Sequence, residues 1–190
     1  MNGQRQPMEP AQVDLPLEPS TFVRMFGARL AGVANDSPIL DVACGSGRNA
    51  LALAQLGCTV ICLDKDIARI KALRRRLLKN FPSTAARLIP QKIDLLEDSW
   101  PFGPSCVGSI LNIHFFRKQL LQQFGNSIAV GQYLLLETEP GHGGNYRSLP
   151  RAGEVRAVLK EAFEFECYRE TSVGPKECDA VTVKLFARKK

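Results

Sequence analysis

The stretch ILDVACGSGRNA at residues 39–50 decides the fold of this chain. Its first part, through Ala43, is a short apolar run typical of a buried strand. Gly45 and Gly47 follow, and glycine lets the backbone turn tightly and approach a ligand without interference from a Cβ atom. A helix is predicted to begin at Asn49. The stretch therefore predicts a strand, a glycine turn and a helix in succession.

The same alternation continues on both sides of this stretch. Helices are predicted over residues 20–34, 49–56, 66–80, 116–124 and 152–163. Strands are predicted over residues 39–43, 59–63, 88–93, 107–113, 133–137, 165–170 and 181–187. Pro90 predicts an edge position for the third strand, because proline lacks the N–H that a central strand needs. The last two strands are joined through a Gly174-Pro175 turn without a helix, which predicts antiparallel pairing.

This order predicts an α/β fold with a mostly parallel sheet, helices on both faces and an antiparallel strand at the C-terminal end. In such sheets, ligands bind beyond the carboxyl ends of the strands, near the point where the strand order reverses. The chain has 190 residues. We expect one domain over residues 20–190, preceded by a flexible, proline-containing arm over residues 1–19.

Composition excludes several classes of protein. Apolar residues make up 45% of the chain and the net charge is +6, which does not fit a disordered protein. No apolar run approaches the roughly 18 residues of a membrane span, and residues 1–19 lack the layout of a secretion signal, so we expect a cytoplasmic protein. The six cysteines form no C-x-x-C pair and only two histidines are present, so no metal site is expected.

Two acidic residues indicate which ligand the glycine turn binds. Asp64 follows the second strand, 19 residues after Gly45, where a carboxylate can accept hydrogen bonds from both hydroxyls of a ribose. The glycine spacing alone also matches the dinucleotide-binding fingerprint. Asp41 favours a different ligand, because a carboxylate beside the turn repels a pyrophosphate but suits a cationic or zwitterionic nucleoside such as S-adenosylmethionine, either directly or by bracing the loop.

These residues resemble the cofactor signature of class I S-adenosylmethionine-dependent methyltransferases. The resemblance covers about residues 19–190 and rests on Asp41-x-x-Cys44-Gly45-x-Gly47, on Asp64 and on Asp94-Leu95 after the third strand. Residues 40–49 are similar to small bacterial enzymes of the tellurite-resistance methyltransferase type, and residues 134–138 and 153–155 fit the same group. Two positions depart from the family pattern: Ala43 replaces its first motif glycine, and Gly131-Gln132 replaces Gly-Gly before the fifth strand.

The resemblance implies a Rossmann-like sandwich with a seven-stranded sheet, and it implies S-adenosylmethionine as the cofactor. Residues of the glycine turn would line the methionine part, Asp64 would bind the ribose, and Asp94 and Leu95 would flank the adenine. Asn112 would lie beneath the transferred methyl group. The candidate cofactor-binding residues are Asp41, Ala43, Cys44, Gly45, Gly47, Arg48, Asn49, Asp64, Lys65, Asp94, Leu95 and Asn112.

The candidate catalytic residues follow the fourth and fifth strands, and they are His114, Asn112 and Glu137. His114 is the best candidate for a general base, because histidine titrates near neutral pH; its alternative role is a structural hydrogen bond. The expected acceptor is a small molecule. The loop over residues 140–150 is a candidate lid, in which Arg147 suits an anionic acceptor.

Three other functions stay open. They are an NAD(P)-dependent oxidoreductase, a non-catalytic cofactor-binding module that activates a partner, and a methyltransferase acting on nucleic acid or protein. The basic run at residues 69–79 favours a nucleic-acid partner, but an apolar stripe through Ile70, Leu73 and Leu77 places most of these charges on a solvated helix face. We therefore expect no nucleic-acid partner and no membrane contact, and a monomer or weak dimer.

Overall fold

The computed structural model describes residues 18–34 and 37–190. The predicted flexible arm lies outside the described residues, except for Glu18 and Pro19. A single sheet organises the fold. Its strands are β1 (Ile39–Val42), β2 (Val60–Asp64), β3 (Leu88–Lys92), β4 (Ile110–Ile113), β5 (Tyr133–Glu137), β6 (Phe163–Ser172) and β7 (Val181–Lys189).

The seven strands are arranged in the order β3-β2-β1-β4-β5-β7-β6. Strands β1 to β5 pair in parallel, and β7 pairs antiparallel with both β5 and β6. The predicted sheet is therefore confirmed, and Pro90 lies in the edge strand β3 as expected. The strand order reverses at β1, between β2 and β4, so this end of the sheet is where a ligand is expected.

Helices cover both faces of the sheet. They are α1 (Thr21–Val33), α2 (Arg48–Gln55), α3 (Ala68–Leu77), α4 (Pro82–Arg87), α5 (Lys118–Ser127) and α6 (Glu154–Leu159). Buried residues of α1 to α4 form one apolar cluster, and those of α5 and α6 form a second on the opposite face. Successive residues of β1 face opposite sides of the sheet, so that Ile39 belongs to the first cluster and Leu40 to the second. None of the described helices is long and apolar enough to cross a membrane.

The predicted end of the last helix and the predicted start of the fourth strand are wrong, because contacts with other parts of the chain determine both. The last helix was expected to reach Phe163, but it ends at Leu159 and Phe163 begins β6, where it pairs with Lys189. The fourth strand was expected from Val107, but it begins at Ile110. Val107 forms an isolated parallel bridge with Ile128 and does not pair with β1, so the regular strand begins only at Ile110.

Candidate functional site

The glycine turn between β1 and α2 contains three left-handed residues. Ala43, Gly45 and Gly47 have φ angles of +58°, +54° and +79°. Gly47 is also required by packing, because a Cβ atom there would lie 2.3 Å from Cδ1 of Ile70 on α3. Gly45 meets no such obstacle. Ala43 adopts the left-handed conformation despite its Cβ atom, at a cost of about 1 kcal/mol.

Asp64 connects the end of β2 to this turn. Its Oδ2 accepts a hydrogen bond of 2.8 Å from the N–H of Gly45, and its Oδ1 accepts one of 2.9 Å from the N–H of Asp66. A carboxylate has about four acceptor positions, so two remain for a ligand. Asp64 is therefore held in a fixed orientation while it keeps the acceptors that a ribose diol requires.

A hollow of about 440 Å³, part of it open to solvent, lies beside Asp64 at the carboxyl ends of the strands. Asp64, Lys65 and Asp94 form its polar rim, and Ile93, Leu95 and Phe115 are among its apolar wall residues. Ala43 of the glycine turn also lines it. Apolar walls beside a fixed carboxylate suit a planar base attached to a ribose. The structure thus brings together five predicted cofactor residues: Ala43, Asp64, Lys65, Asp94 and Leu95.

Asp41 does not line this hollow. It is 1% exposed, and its Oδ2 accepts a hydrogen bond of 3.1 Å from the N–H of Ala50 in the first turn of α2. Burial raises the pKa of the Asp41 carboxyl to about 7; the negative charge of Asp64 adds to the shift, whereas the Ala50 N–H and the positive charge of Arg48 oppose it. Asp41 therefore supports the glycine turn from beneath, and its burial prevents direct contact with a ligand.

Asn49 also has a supporting position. It is 6% exposed, and its Oδ1 accepts a hydrogen bond of 3.0 Å from the N–H of Ser20 at the start of α1. Arg48 reaches the same segment, with its guanidinium 3.4 Å from the carbonyl oxygen of Glu18. Neither residue is among those that line the hollow. They join the glycine turn to α1, which positions the N-terminal end of that helix next to the site.

Two buried polar atoms without partners mark the ends of β4 and β5. Within the described residues, no hydrogen bond is made by Nδ2 of Asn112 or by Oε2 of Glu137. Asn112 is 1% exposed and Glu137 9% exposed. Leaving such an atom unpaired costs about 1–3 kcal/mol, so each one indicates a position where a ligand group would be stabilised. The two side chains project to opposite faces of the sheet and thus bracket its end.

Lys184 is a residue of the site that the sequence did not indicate. Its Nζ lies 2.8 Å from Oε1 of Glu137, and it also lies 5.8 Å from the ring centre of Phe22 on α1. The contact depends on the antiparallel pairing of β5 with β7, in which Glu137 and Lys184 are directly opposite. No local pattern specifies that pairing. Lys184 holds one oxygen of Glu137 and leaves the other without a partner.

His114 follows β4 directly and has a left-handed backbone with φ of +59°. Its N–H donates a hydrogen bond of 2.7 Å to the carbonyl oxygen of Glu137, which ties the two strand ends together. No described residue forms a hydrogen bond with its imidazole ring, and the side chain is half-buried. The ring therefore lacks the structural hydrogen bond that was the alternative role of His114. Strained residues of this kind cluster at functional sites.

The loop over residues 140–150, the candidate lid, packs against the turn between β6 and β7. A Cβ atom on Gly141 would lie 2.5 Å from Val173, and one on Gly174 would lie 2.7 Å from the ring of Tyr146. The loop also contains a short 3₁₀ helix, Asn145–Ser148. These close approaches hold the loop in place. Among the described residues, no group of histidine, cysteine and acidic side chains is arranged to hold a metal ion.

Comparisons with known proteins agree with this geometry. A family model described as a methyltransferase domain matches residues 39–129, from β1 to just beyond α5. No curated protein sequence matches the chain.

Solved structures share the fold at low sequence identity. Geranyl diphosphate C-methyltransferase from Streptomyces coelicolor A3(2), crystallised with Mg²⁺, geranyl diphosphate and S-adenosyl-L-homocysteine, is 12% identical, with a TM-score of 0.63 over 88% of this chain and 80% of that chain. TehB from Haemophilus influenzae is 19% identical, with a TM-score of 0.62 over 90% of this chain and 64% of that chain. A Burkholderia thailandensis 1,6-didemethyltoxoflavin-N1-methyltransferase is 15% identical, with a TM-score of 0.58 over 90% and 79%.

Proposed function

We propose that this chain is a class I S-adenosylmethionine-dependent methyltransferase that transfers a methyl group to a small-molecule acceptor. The observation that carries the proposal is Asp64, which both fixes the glycine turn and lines the hollow beside it. The small-molecule acceptor is supported by the shared fold with methyltransferases of geranyl diphosphate and of 1,6-didemethyltoxoflavin.

The residues present fit S-adenosylmethionine. Asp64 has free acceptor positions for the ribose, Leu95 and Phe115 offer apolar contacts to the adenine, and the glycine turn leaves room for the methionine part. The fixed hydrogen bond between Gly45 and Asp64 means that turn and carboxylate form the site as a unit. Asp41 and Asn49 contribute by holding that unit in place.

We expect Asp64→Ala to weaken S-adenosylmethionine binding by roughly 10- to 150-fold. This corresponds to the loss of about 1.5–3 kcal/mol, the scale of a hydrogen bond to a charged group. The variant loses the ribose acceptors and also frees the N–H of Gly45. Isothermal titration calorimetry measures the change directly.

Asp66→Ala is the matched control for this change. Asp66 is an exposed carboxylate two positions away that accepts a hydrogen bond from the N–H of Ala68. Its replacement should leave the affinity close to that of the unmodified chain. Equal affinities of the Asp64→Ala variant and the unmodified chain would place the ribose elsewhere.

The residues at the ends of β4 and β5 act on the acceptor and the cofactor. S-adenosylmethionine supplies a methyl carbon on a sulfonium, and in the transfer the carbon–sulfur bond breaks as the acceptor lone pair forms the new bond. The protein must hold that lone pair in line and exclude water. Because Glu137 and Asn112 project to opposite faces of the sheet, they act on different groups. Oε2 of Glu137 accepts a hydrogen bond from the acceptor, and Nδ2 of Asn112 donates one beneath the methyl group of the cofactor. His114 removes the proton that an amine or hydroxyl loses.

We expect His114→Asn to lower turnover by roughly 100-fold or more, the usual contribution of a general base. Asparagine tolerates the left-handed backbone of this position, so the loop conformation is retained. The affinity for S-adenosylmethionine should not change. Once an acceptor screen that monitors S-adenosylhomocysteine release has found a substrate, single-turnover assays measure the effect.

The second histidine of the chain, His142, provides the control. It is exposed on the loop over residues 140–150, and His142→Asn should retain full activity. A His114→Asn variant with the turnover of the unmodified chain would remove His114 from catalysis. Beyond the site itself, we infer one domain over residues 20–190 and a cytoplasmic location. We also infer that the protein is a monomer or weak dimer, and sedimentation in the presence of cofactor tests this oligomeric state.

A further inference from the structure

Residues 67–92 form a flank of the molecule with an uneven charge, and we call them the basic flank. They comprise α3, α4 and the edge strand β3. The basic flank holds eight of the 25 Lys and Arg residues and none of the 19 Asp and Glu residues. The rest of the chain carries 17 Lys and Arg against 19 Asp and Glu. The entire net positive charge of the protein therefore originates in this flank.

Most of these cations are exposed and lack a carboxylate partner. Exposed cations without an ion pair in the described part of the chain are Arg69, Lys71, Arg75, Lys79 and Lys92. Two other cations stabilise the fold: Arg74 donates to the carbonyl oxygen of Ala85, and Arg87 donates to that of Gly57. The five exposed side chains have no such role in the structure.

The helix dipole accounts for Arg75 in the last turn of α3, but it does not account for Arg69 and Lys71. The dipole of α3 favours positive charge in its last turn, but Arg69 and Lys71 lie in and beside its first turn, where positive charge is unfavourable. Lys71 and Arg75 are four residues apart on α3, which places their like charges about 6 Å apart on one side of the helix, and Lys79 follows two residues beyond the end of the helix. We call these three cations the ridge. Lys71 and Arg75 repel each other at this spacing, which weakens α3 unless an anionic partner binds the ridge.

The surroundings of this ridge distinguish between anionic partners. The apolar face of α3 is buried through Ile70, Leu73 and Leu77. The exposed apolar residues Leu78, at the end of α3, and Ile89, on β3, lie on different elements, so the flank presents no continuous apolar helix face to insert into a bilayer. Phe81 follows the ridge closely in the chain and is 48% exposed. Exposed aromatic rings among Lys and Arg residues are the combination by which proteins bind single-stranded nucleic acid, through base stacking and phosphate contacts.

We propose that the basic flank binds single-stranded nucleic acid, with Lys71, Arg75 and Lys79 on the phosphates and Phe81 against a base. The sequence alone predicted a solvated helix face for this region. In the structure, α4 and β3 extend that face into a flank without a single carboxylate. The proposal does not depend on the identity of the methyl acceptor, because the flank and the acceptor end of the site are carried by different strands.

Fluorescence anisotropy with labelled poly-uridine RNA tests the proposal. We expect measurable binding at low salt that weakens by roughly 20-fold between 50 and 200 mM salt if three phosphates are contacted. The triple variant Lys71→Glu, Arg75→Glu, Lys79→Glu should lose at least roughly tenfold in affinity at low salt, as its phosphate contacts become repulsive. Circular dichroism checks that the variant is folded.

A control variant with the same net charge as the triple variant distinguishes an effect of the cations in the basic flank from an effect of the overall charge of the protein. Lys160→Glu, Arg169→Glu, Lys176→Glu changes three exposed cations outside the flank and should retain RNA binding. Phe81→Ala should weaken poly-uridine binding by roughly tenfold and leave heparin binding unchanged, because heparin offers no base to stack. The proposal is overturned by absent RNA binding, by equal losses in the two triple variants, by an unaffected Phe81→Ala variant, or by binding to anionic vesicles in place of RNA.

Discussion

Replacing Gly47 with alanine is expected to lower the free energy of unfolding by about 2–5 kcal/mol. Two separate effects add. The left-handed φ of +79° costs an alanine about 1–2 kcal/mol. The new Cβ atom would also lie 2.3 Å from Cδ1 of Ile70 and 3.3 Å from Cδ2 of Leu73, and overpacking of this kind costs about 1–3 kcal/mol. Urea denaturation followed by circular dichroism measures the loss.

Gly45→Ala is the matched control, because it introduces the same atom in the same turn. Gly45 is also left-handed, but a Cβ atom there meets nothing within 4 Å. Only the conformational cost of about 1–2 kcal/mol remains. The double variant Gly47→Ala, Ile70→Val removes the clashing Cδ1 atom and should recover part of the loss. Equal losses in the two single variants would show that the packing of α3 against the turn has no role.

The second large effect is a pH dependence that originates in Asp41. Its pKa is about 7 in the folded chain and near 3.8 when exposed. The folded state therefore holds a proton that the unfolded state has released between these values, so stability declines as the pH rises from about 4 to 7. A shift of about three units corresponds to up to about 4 kcal/mol. Asp41→Asn keeps an oxygen acceptor for Ala50 and should lose this dependence.

Urea denaturation at pH 4.5 and pH 7.5 compares the two chains. At each pH, the free energy of unfolding of Asp41→Asn is compared with that of the unmodified chain. This difference should favour the variant markedly more at pH 7.5 than at pH 4.5. Asp66→Asn, at an exposed carboxylate, should show the pH dependence of the unmodified chain. If Asp41→Asn retains that dependence as well, the buried carboxyl of Asp41 is ionised throughout this range.

The parallel core of the fold was predictable because local patterns specify it. Short apolar runs mark β1, β2 and β5, and Pro90 indicates the edge strand. The end of the last helix was not predictable, since Val155, Leu159 and Phe163 share a four-residue spacing that continues the helical pattern. Pairing with β7 draws Phe163 into a strand instead. Helix α4, which begins at Pro82, was not predicted, and its short length gives little periodic signal.

The site shows the same division between local and distant determinants. Asp64 at the end of β2 and Asp94 and Leu95 after β3 line the hollow, and their contact with the cofactor stays a prediction. Asp41 and Asn49 were listed among the cofactor-binding residues, and their side chains face α2 and α1 beneath the glycine turn. For Asp41 this is the bracing role that the sequence had left open beside direct contact. Lys184 was missed, since it reaches Glu137 through a strand pairing that no local pattern encodes.

Calorimetric titration of the unmodified chain with S-adenosylmethionine and, separately, with NADH tests the central claim most directly. The glycine turn, held by Asp64 beside the apolar hollow, should bind S-adenosylmethionine with one-to-one stoichiometry. Titration with NADH should give no heat of binding. Binding of NADH together with no binding of S-adenosylmethionine would contradict the assignment of the cofactor, and with it the proposed methyl transfer.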